Sequence, residues 1–198
     1  DRKNLELDFF GGEPLMNFDV VKQIVEYARS KEAEYDKKFR FTITTNGLLL
    51  DDDKMEFINK EMSNVVLSID GRKSVNDYMR IRVDGSGCYD KIMPAFKKLV
   101  SLRGDKEYYV RGTFTKHNLD FADDVFDLYN NGVDQISVEP VVCEATEDYA
   151  ITEKELPAIF KEYENLAERI LENERKGGKF NFFHFMLDLD QGPCAIKR

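Results

Sequence analysis

Apolar and polar residues alternate through Leu5-Glu6-Leu7-Asp8-Phe9-Phe10, and the period then changes, with Val20, Val21, Ile24, Val25 and Ala28 recurring at helical steps. Alternation predicts a strand and the longer period an amphipathic helix, here over Phe18–Lys31, with Asp19 placing an acid in its first turn. The succession repeats. Strands are expected at Phe39–Thr44, Val65–Ile69, Tyr108–Phe114 and Gln135–Val141, and helices at Asp53–Met62, Asp90–Leu102 and Phe121–Asn130. Residues 70–88 read as one long loop rich in charge and glycine, a length that usually serves function or is ordered by a partner. Thr152–Lys176 reads as a long surface helix whose stripe is Leu156, Ile159, Phe160, Tyr163, Leu166, Ala167, Ile170 and Leu171. Gly177-Gly178 should end it.

Strand–helix alternation argues for parallel pairing through right-handed crossovers, as in an open α/β sheet or a complete or partial barrel. The expected fold is α/β, a partial (β/α) barrel in one domain. The 198 residues carry 29 basic and 38 acidic side chains, a net charge of -9. That balance argues against a phosphate-backbone surface, so no nucleic-acid partner is expected. No apolar run approaches the ~20 residues of a membrane span, and the opening Asp-Arg-Lys-Asn lacks a signal-peptide core. A cytoplasmic protein without a membrane partner is the expectation. Cys88, Cys143 and Cys194 stand too far apart to form a local metal site, and free thiols suit a reducing compartment.

In parallel α/β folds the ligand lies beyond the carboxyl ends of the strands, so the residues closing each strand are the informative ones. These are Gly11-Gly12-Glu13-Pro14, Thr44-Thr45-Asn46-Gly47, Ser68-Ile69-Asp70-Gly71 and Glu139-Pro140. Paired glycines let a ligand approach the backbone, and their carbonyls with Glu13 can hold an ammonium group. Gly-Gly-Glu-Pro, Asn-Gly and Asp-Gly are equally the punctuation of ordinary turns. Ser68 can donate to a carboxylate and Asp70 can accept from sugar hydroxyls, or Asp70 can cap its own turn. Arg80 offers a planar fork suited to a carboxylate, or a solvated loop side chain. Arg111 and Glu139, charged within strands, can orient substrate or ribose hydroxyls or form a structural ion pair. His117 sits where a general acid or base would fit, or is simply solvated. Cys88 reads as the start of a helix, His184 as part of an aromatic cluster, and Asp51-Asp52-Asp53 and Glu144–Asp148 as solvated segments.

Together the segments FFGGEPLMN, TTNG, LSIDG and NDYMRIRVDGSGCYDKIM resemble the peptide- and protein-modifying branch of the radical S-adenosylmethionine (SAM) family. The resemblance implies a partial (β/α)6 barrel in which Gly11, Gly12 and Glu13 bind the SAM amino group. It implies further that Ser68 and Arg80 meet the methionine carboxylate, and that Thr45, Asn46 and Val138 line the adenosine or methionine portion, with Asp70 also at the SAM site. The tail KFNFFHFMLDLDQGPCAIKR resembles the region leading into the cysteine-rich, SPASM-like extension of six-cysteine peptide (SCIFF) maturases, which join a cysteine sulfur to a threonine carbon. On that likeness Cys194 would be a ligand of an auxiliary iron–sulfur cluster in a longer protein. The CxxxCxxC segment that holds the family's [4Fe-4S] cluster is not in the sequence.

The expectation is therefore a radical SAM core over residues 1–177 lacking the family's first strand and helix, followed over 178–198 by a linker to an absent extension. SAM and [4Fe-4S] clusters would belong to the full-length protein, with none bound and no activity in this fragment. Its partners would be a cysteine-rich ribosomal peptide and an external electron donor, and an exposed sheet edge would favour self-association. Two alternatives stand beside thioether formation: an anaerobic sulfatase-maturating enzyme that makes formylglycine, and a β/α-barrel binding module without redox chemistry. A phosphate-handling barrel lacks its glycine loop and lysine motif here.

Overall fold

The computed structural model describes residues 2–186. In chain order the elements are β1 (Asn4–Phe9), α1 (Phe18–Tyr35), β2 (Lys38–Thr45), α2 (Asp52–Glu61), β3 (Asn64–Ser68), α3 (Lys73–Met79) and α4 (Tyr89–Arg103). They continue with β4 (Glu107–Phe114), α5 (Phe121–Asn130), β5 (Gln135–Pro140), α6 (Leu156–Arg175) and β6 (Asn181–Phe182). The six strands pair in sequence order, every pair parallel. This is the partial (β/α) barrel that the strand–helix alternation implied.

Strand alternation sorts the sheet into two faces. Phe41, Ile43, Val65, Leu67, Val110, Phe114, Ile136 and Val138 pack into one core with Val25 of α1, Ile58 of α2, Phe96 of α4, Val125 of α5 and Leu166 of α6. All the helices that enter this core therefore lie on one side of the sheet. The other face carries Thr44, Ser68, Arg111, Thr113 and Glu139, which remain partly or largely exposed. A sheet wound in one direction with these helices on one side leaves the other, polar face for a ligand.

Local signals explain the element ends. Asp51 caps α2 by accepting from the Lys54 backbone N–H at 2.9 Å. Asp36 adopts the left-handed conformation (φ 48°) that closes α1, with its N–H returned to the Glu32 carbonyl.

Four expectations need correction. Residues 70–88 are not one loop: Lys73–Met79 form α3, a helix too short to show an apolar stripe of its own. Among the described residues there are six strands where five were expected, because β6 is only two residues long and has no readable period. The last helix begins at Leu156, preceded by turns, and only Ile159 and Leu166 of its stripe are buried, leaving Phe160 and Leu171 exposed. In α1, Val20 and Ile24 lie at the margin of the stripe and stay partly exposed, while Val21, Val25 and Ala28 are buried.

Candidate functional site

The segment after β1 turns at Gly11, whose φ of 128° a side chain would strain. No atom lies within 4 Å of where a Cβ would stand on Gly11 or Gly12, so the space beside this backbone is open. Glu13 follows and reaches across to the end of β2. Its carboxylate accepts from the Leu15 N–H at 3.1 Å, the Thr45 hydroxyl at 2.8 Å and the Asn46 N–H at 2.7 Å. Two of these bonds fall on Oε1 and one on Oε2. Thr45, itself buried, accepts in turn from the Gly47 N–H, and Asn46 Oδ1 from the Leu48 N–H. The first two strand-end motifs thus form one knot, with acceptor capacity left on Oε2.

The third motif closes the other side. Asp70, 3% exposed, takes Arg80 in a two-pronged ion pair, Nε to Oδ2 and Nη2 to Oδ1, both at 2.8 Å. Asp70 Oδ1 also accepts the Thr113 N–H of β4 at 2.9 Å. Behind it, fully buried Asp124 of α5 holds Arg72 through its backbone N–H at 3.0 Å and its Nε at 2.8 Å. Hydrogen bonding to Asp124, reinforced by Asp120, raises the Arg72 guanidinium above its ordinary range and keeps it charged.

Between the two halves lies a cavity of about 380 Å³. Gly11, Gly12, Glu13, Thr45, Asn46, Ser68 and Arg80 all line it, so folding brings these sequence-predicted residues around one space. Two predicted residues do not line it. Asp70 is buried with both carboxylate oxygens engaged, so its expected contact with sugar hydroxyls is replaced by a grip on Arg80. Val138 is fully buried in the core and does not face the cavity: strand alternation turns its side chain to the helix side with Ile136. Cys194 lies outside the described residues.

Residues the sequence left open or passed over also appear on the rim. Arg111 and Thr113 line the cavity, and Arg111 donates to Glu139 at 3.2 Å with both side chains about two-fifths exposed. The alternate spacing of Arg111 and Thr113 on one strand was the available signal for Thr113. His117 stands apart, 3.8 Å from Asp148 and edge-on to Tyr78. Cys88 is buried at the start of α4, where its sulfur accepts from Asn76. A larger cavity, about 540 Å³, opens at the opposite ends of the strands beside Asn64, Glu107 and Gln135. It contains none of the strand-end motifs, and parallel sheets bind ligands at their carboxyl ends, so the smaller cavity is the candidate site.

The donor set fits an amino-acid headgroup. Glu13 and the open glycine backbone present acceptors, while Ser68 and the outward part of the Arg80 guanidinium present donors. An iron–sulfur cluster is a different matter. Among the described residues no group of three or more His, Cys, Asp or Glu side chains could hold a metal ion, and Cys88 and Cys143 are free thiols.

Comparison with known proteins gives the family. Residues 5–128 match the Radical SAM superfamily, and the chain belongs to it. Among its relatives, the radical SAM cyclopropyl synthase TigE of Paramaledivibacter caminithermalis is 29% identical over 133 residues, covering 67% of this chain and 25% of that protein. The cysteine-type anaerobic sulfatase-maturating enzyme of Clostridium novyi is 26% identical over 128 residues, covering 64% of this chain and 33% of that protein. The chain thus spans about a quarter to a third of these two curated relatives. In fold it is similar to anSMEcpe, solved with AdoMet and the Kp18Cys peptide (TM-score 0.80, 19% identity, 93% of this chain and 51% of that one). Streptococcus suis SuiB bound to S-adenosylmethionine has a TM-score of 0.61 at 18% identity, over 89% of this chain and 38% of that one.

Proposed function

We propose that this chain is the SAM-binding core of a radical SAM enzyme that modifies a ribosomally made peptide, and that the modification is a thioether cross-link at a cysteine. The observation that carries the SAM part is the single cavity shared by Gly11, Gly12, Glu13, Ser68 and Arg80, with acceptors on one wall and donors on the other. The peptide part draws on the relatives, and the thioether on the likeness of the tail to six-cysteine peptide maturases.

In this reading Glu13 accepts the SAM ammonium while keeping its bonds to Thr45 and Asn46, and Ser68 and Arg80 receive the carboxylate. A [4Fe-4S] cluster held by residues of the full-length protein would supply the electron for reductive cleavage of SAM. The chain's residues fix the headgroup so that the ribose carbon reaches the substrate from a constant position, the orientation term of catalysis. SAM cleaved in this way would leave as methionine and, after taking a hydrogen atom from the threonine carbon, 5′-deoxyadenosine; carbon–sulfur bond formation would release the thiol proton and return one electron to an oxidised iron–sulfur cluster of the full-length protein, an external donor having supplied the electron for SAM cleavage.

A second reading, formylglycine formation from a cysteine or serine, is favoured by the sulfatase-maturating relative. One experiment tests both: the full gene product is reconstituted with iron and sulfide without oxygen, then given SAM, reductant and the peptide encoded beside its gene. Production of 5′-deoxyadenosine supports the class. Loss of a hydrogen pair with one cysteine thiol no longer open to alkylation identifies the thioether, and a new aldehyde trapped by a hydrazide identifies formylglycine from either cysteine or serine. Bound cluster without any 5′-deoxyadenosine would favour a binding module without redox chemistry.

A further inference from the structure

Arg80 follows a seven-residue helix in a polar segment, where an arginine would ordinarily sample many rotamers. Here it does not. Its backbone N–H is tied to the Asn76 carbonyl at 2.8 Å, and Asp70 grips its Nε and Nη2. Among the described residues Nη1 makes no hydrogen bond to the protein, and Arg80 lines the cavity. A guanidinium held by one edge presents its remaining edge in a fixed direction.

Asp70 can grip Arg80 only because β3 and β4 meet closely above it. A Cβ on Gly112 of β4 would stand 2.7 Å from the Ile69 carbonyl oxygen and 3.0 Å from the Asp70 Cα, so any side chain there would push Asp70 away. The approach lets Asp70 Oδ1 accept the Thr113 N–H while also holding Arg80. Asn76, fully buried, receives the Asp70 N–H at 3.4 Å from the side of α3. Asp70 is thereby located from β3, β4 and α3 together. Arg111, the other guanidinium on the cavity, is tied by a single contact to Glu139 and its side chain is 44% exposed against 30% for Arg80, so its direction is less fixed.

We propose that Asp70 and Gly112 are positioning residues that aim Arg80 at the carboxylate of SAM, and so give the cavity its preference for a ligand carrying that carboxylate. Pre-ordering the guanidinium lowers the entropy lost on binding and keeps both donors of Nη1 toward the ligand. The inference rests on the SAM reading of the cavity. It assigns Asp70 no contact with SAM itself, unlike the expectation from the sequence.

The test compares the equilibrium affinities of SAM and of decarboxylated SAM for the reconstituted full gene product. The two ligands share adenosine, sulfonium and ammonium and differ only in the carboxylate. The wild type should favour SAM by about tenfold to hundredfold, the value of charged hydrogen bonds. Asp70→Asn should lose most of that preference by weakening SAM while leaving the decarboxylated ligand within about threefold, a pattern general damage to the fold does not produce. Arg80→Gln should lose the same preference, and adding Asp70→Asn to it should change nothing further. Gly112→Ala, which disturbs Asp70 without removing its charge, supplies the same comparison if Asp70→Asn does not fold.

Retained preference in a folded Asp70→Asn or Gly112→Ala protein would overturn the positioning role. Loss of preference in Arg111→Gln but not in Arg80→Gln would overturn it too, by giving the carboxylate to the other arginine. A cluster-bearing wild type that bound neither ligand would instead overturn the SAM reading, and this inference with it.

Discussion

Removing the Glu13 carboxylate should loosen the fold as well as the ligand site. The carboxylate accepts from three donors on two segments, the Leu15 N–H, the Thr45 hydroxyl and the Asn46 N–H, the last two across more than thirty residues of chain. In Glu13→Ala all three lose their acceptor. A hydrogen bond to a charged group contributes about 1.5–3 kcal/mol, but the cavity admits water that can rehydrate part of the knot. Taking the lower figure for the two cross-segment bonds gives a destabilisation of about 3 kcal/mol. Glu13→Gln keeps an acceptor for one pair but turns an amide N–H toward another donor, so about 1–2 kcal/mol is expected. Urea unfolding followed by circular dichroism measures both, with SAM affinity measured in parallel. An unfolding midpoint unchanged in Glu13→Ala, at unchanged slope, would refute the structural half of this account whatever happened to SAM binding.

Gly47→Ala should destabilise by about 2 kcal/mol or more, because φ is 77° there and a Cβ would stand 2.3 Å from the Phe96 ring; thermal unfolding reads it. Asp51→Ala should cost about 1 kcal/mol through loss of the α2 cap, visible in the urea midpoint, whereas Asp51→Ser should recover most of it. Acid should weaken the fold in a defined window. The Phe39 N–H, with Arg29, holds the Glu32 carboxyl below its usual range of 4.5, and hydrogen bonds from Lys54 do the same for Asp51 at 3.8. Since the folded values are the lower ones, the stability they contribute is fully present above about pH 5 and is lost as pH falls through the folded values. Urea midpoints measured from pH 6 to pH 3 should drop more steeply in the wild type than in Glu32→Gln.

Much of the site could be read in advance because its signals are local. Gly11-Gly12-Glu13, Thr45-Asn46 and Ser68 each close a strand, and the rule that parallel sheets bind at their carboxyl ends gathers such residues whatever their distance along the chain. Val138, which only the family resemblance placed at the site, is turned away from the cavity by the parity of its strand, which sends alternate side chains to opposite faces. Helix α3 and strand β6 escaped because seven and two residues are too few to display a period.

The sequence by itself determined the strand–helix alternation, the parallel single-wound sheet and the residues at its carboxyl rim, since periodicity and turn chemistry act over a few neighbours. Tertiary structure alone decided which charges are buried and what each one grips. Asp70 meets Thr113 across 43 residues and Asp124 meets Arg72 across 52, and nothing local marks either aspartate as different from the solvated acids around it. Their roles follow from strand register and helix packing, which bring a carboxylate to a guanidinium only after the whole sheet has formed.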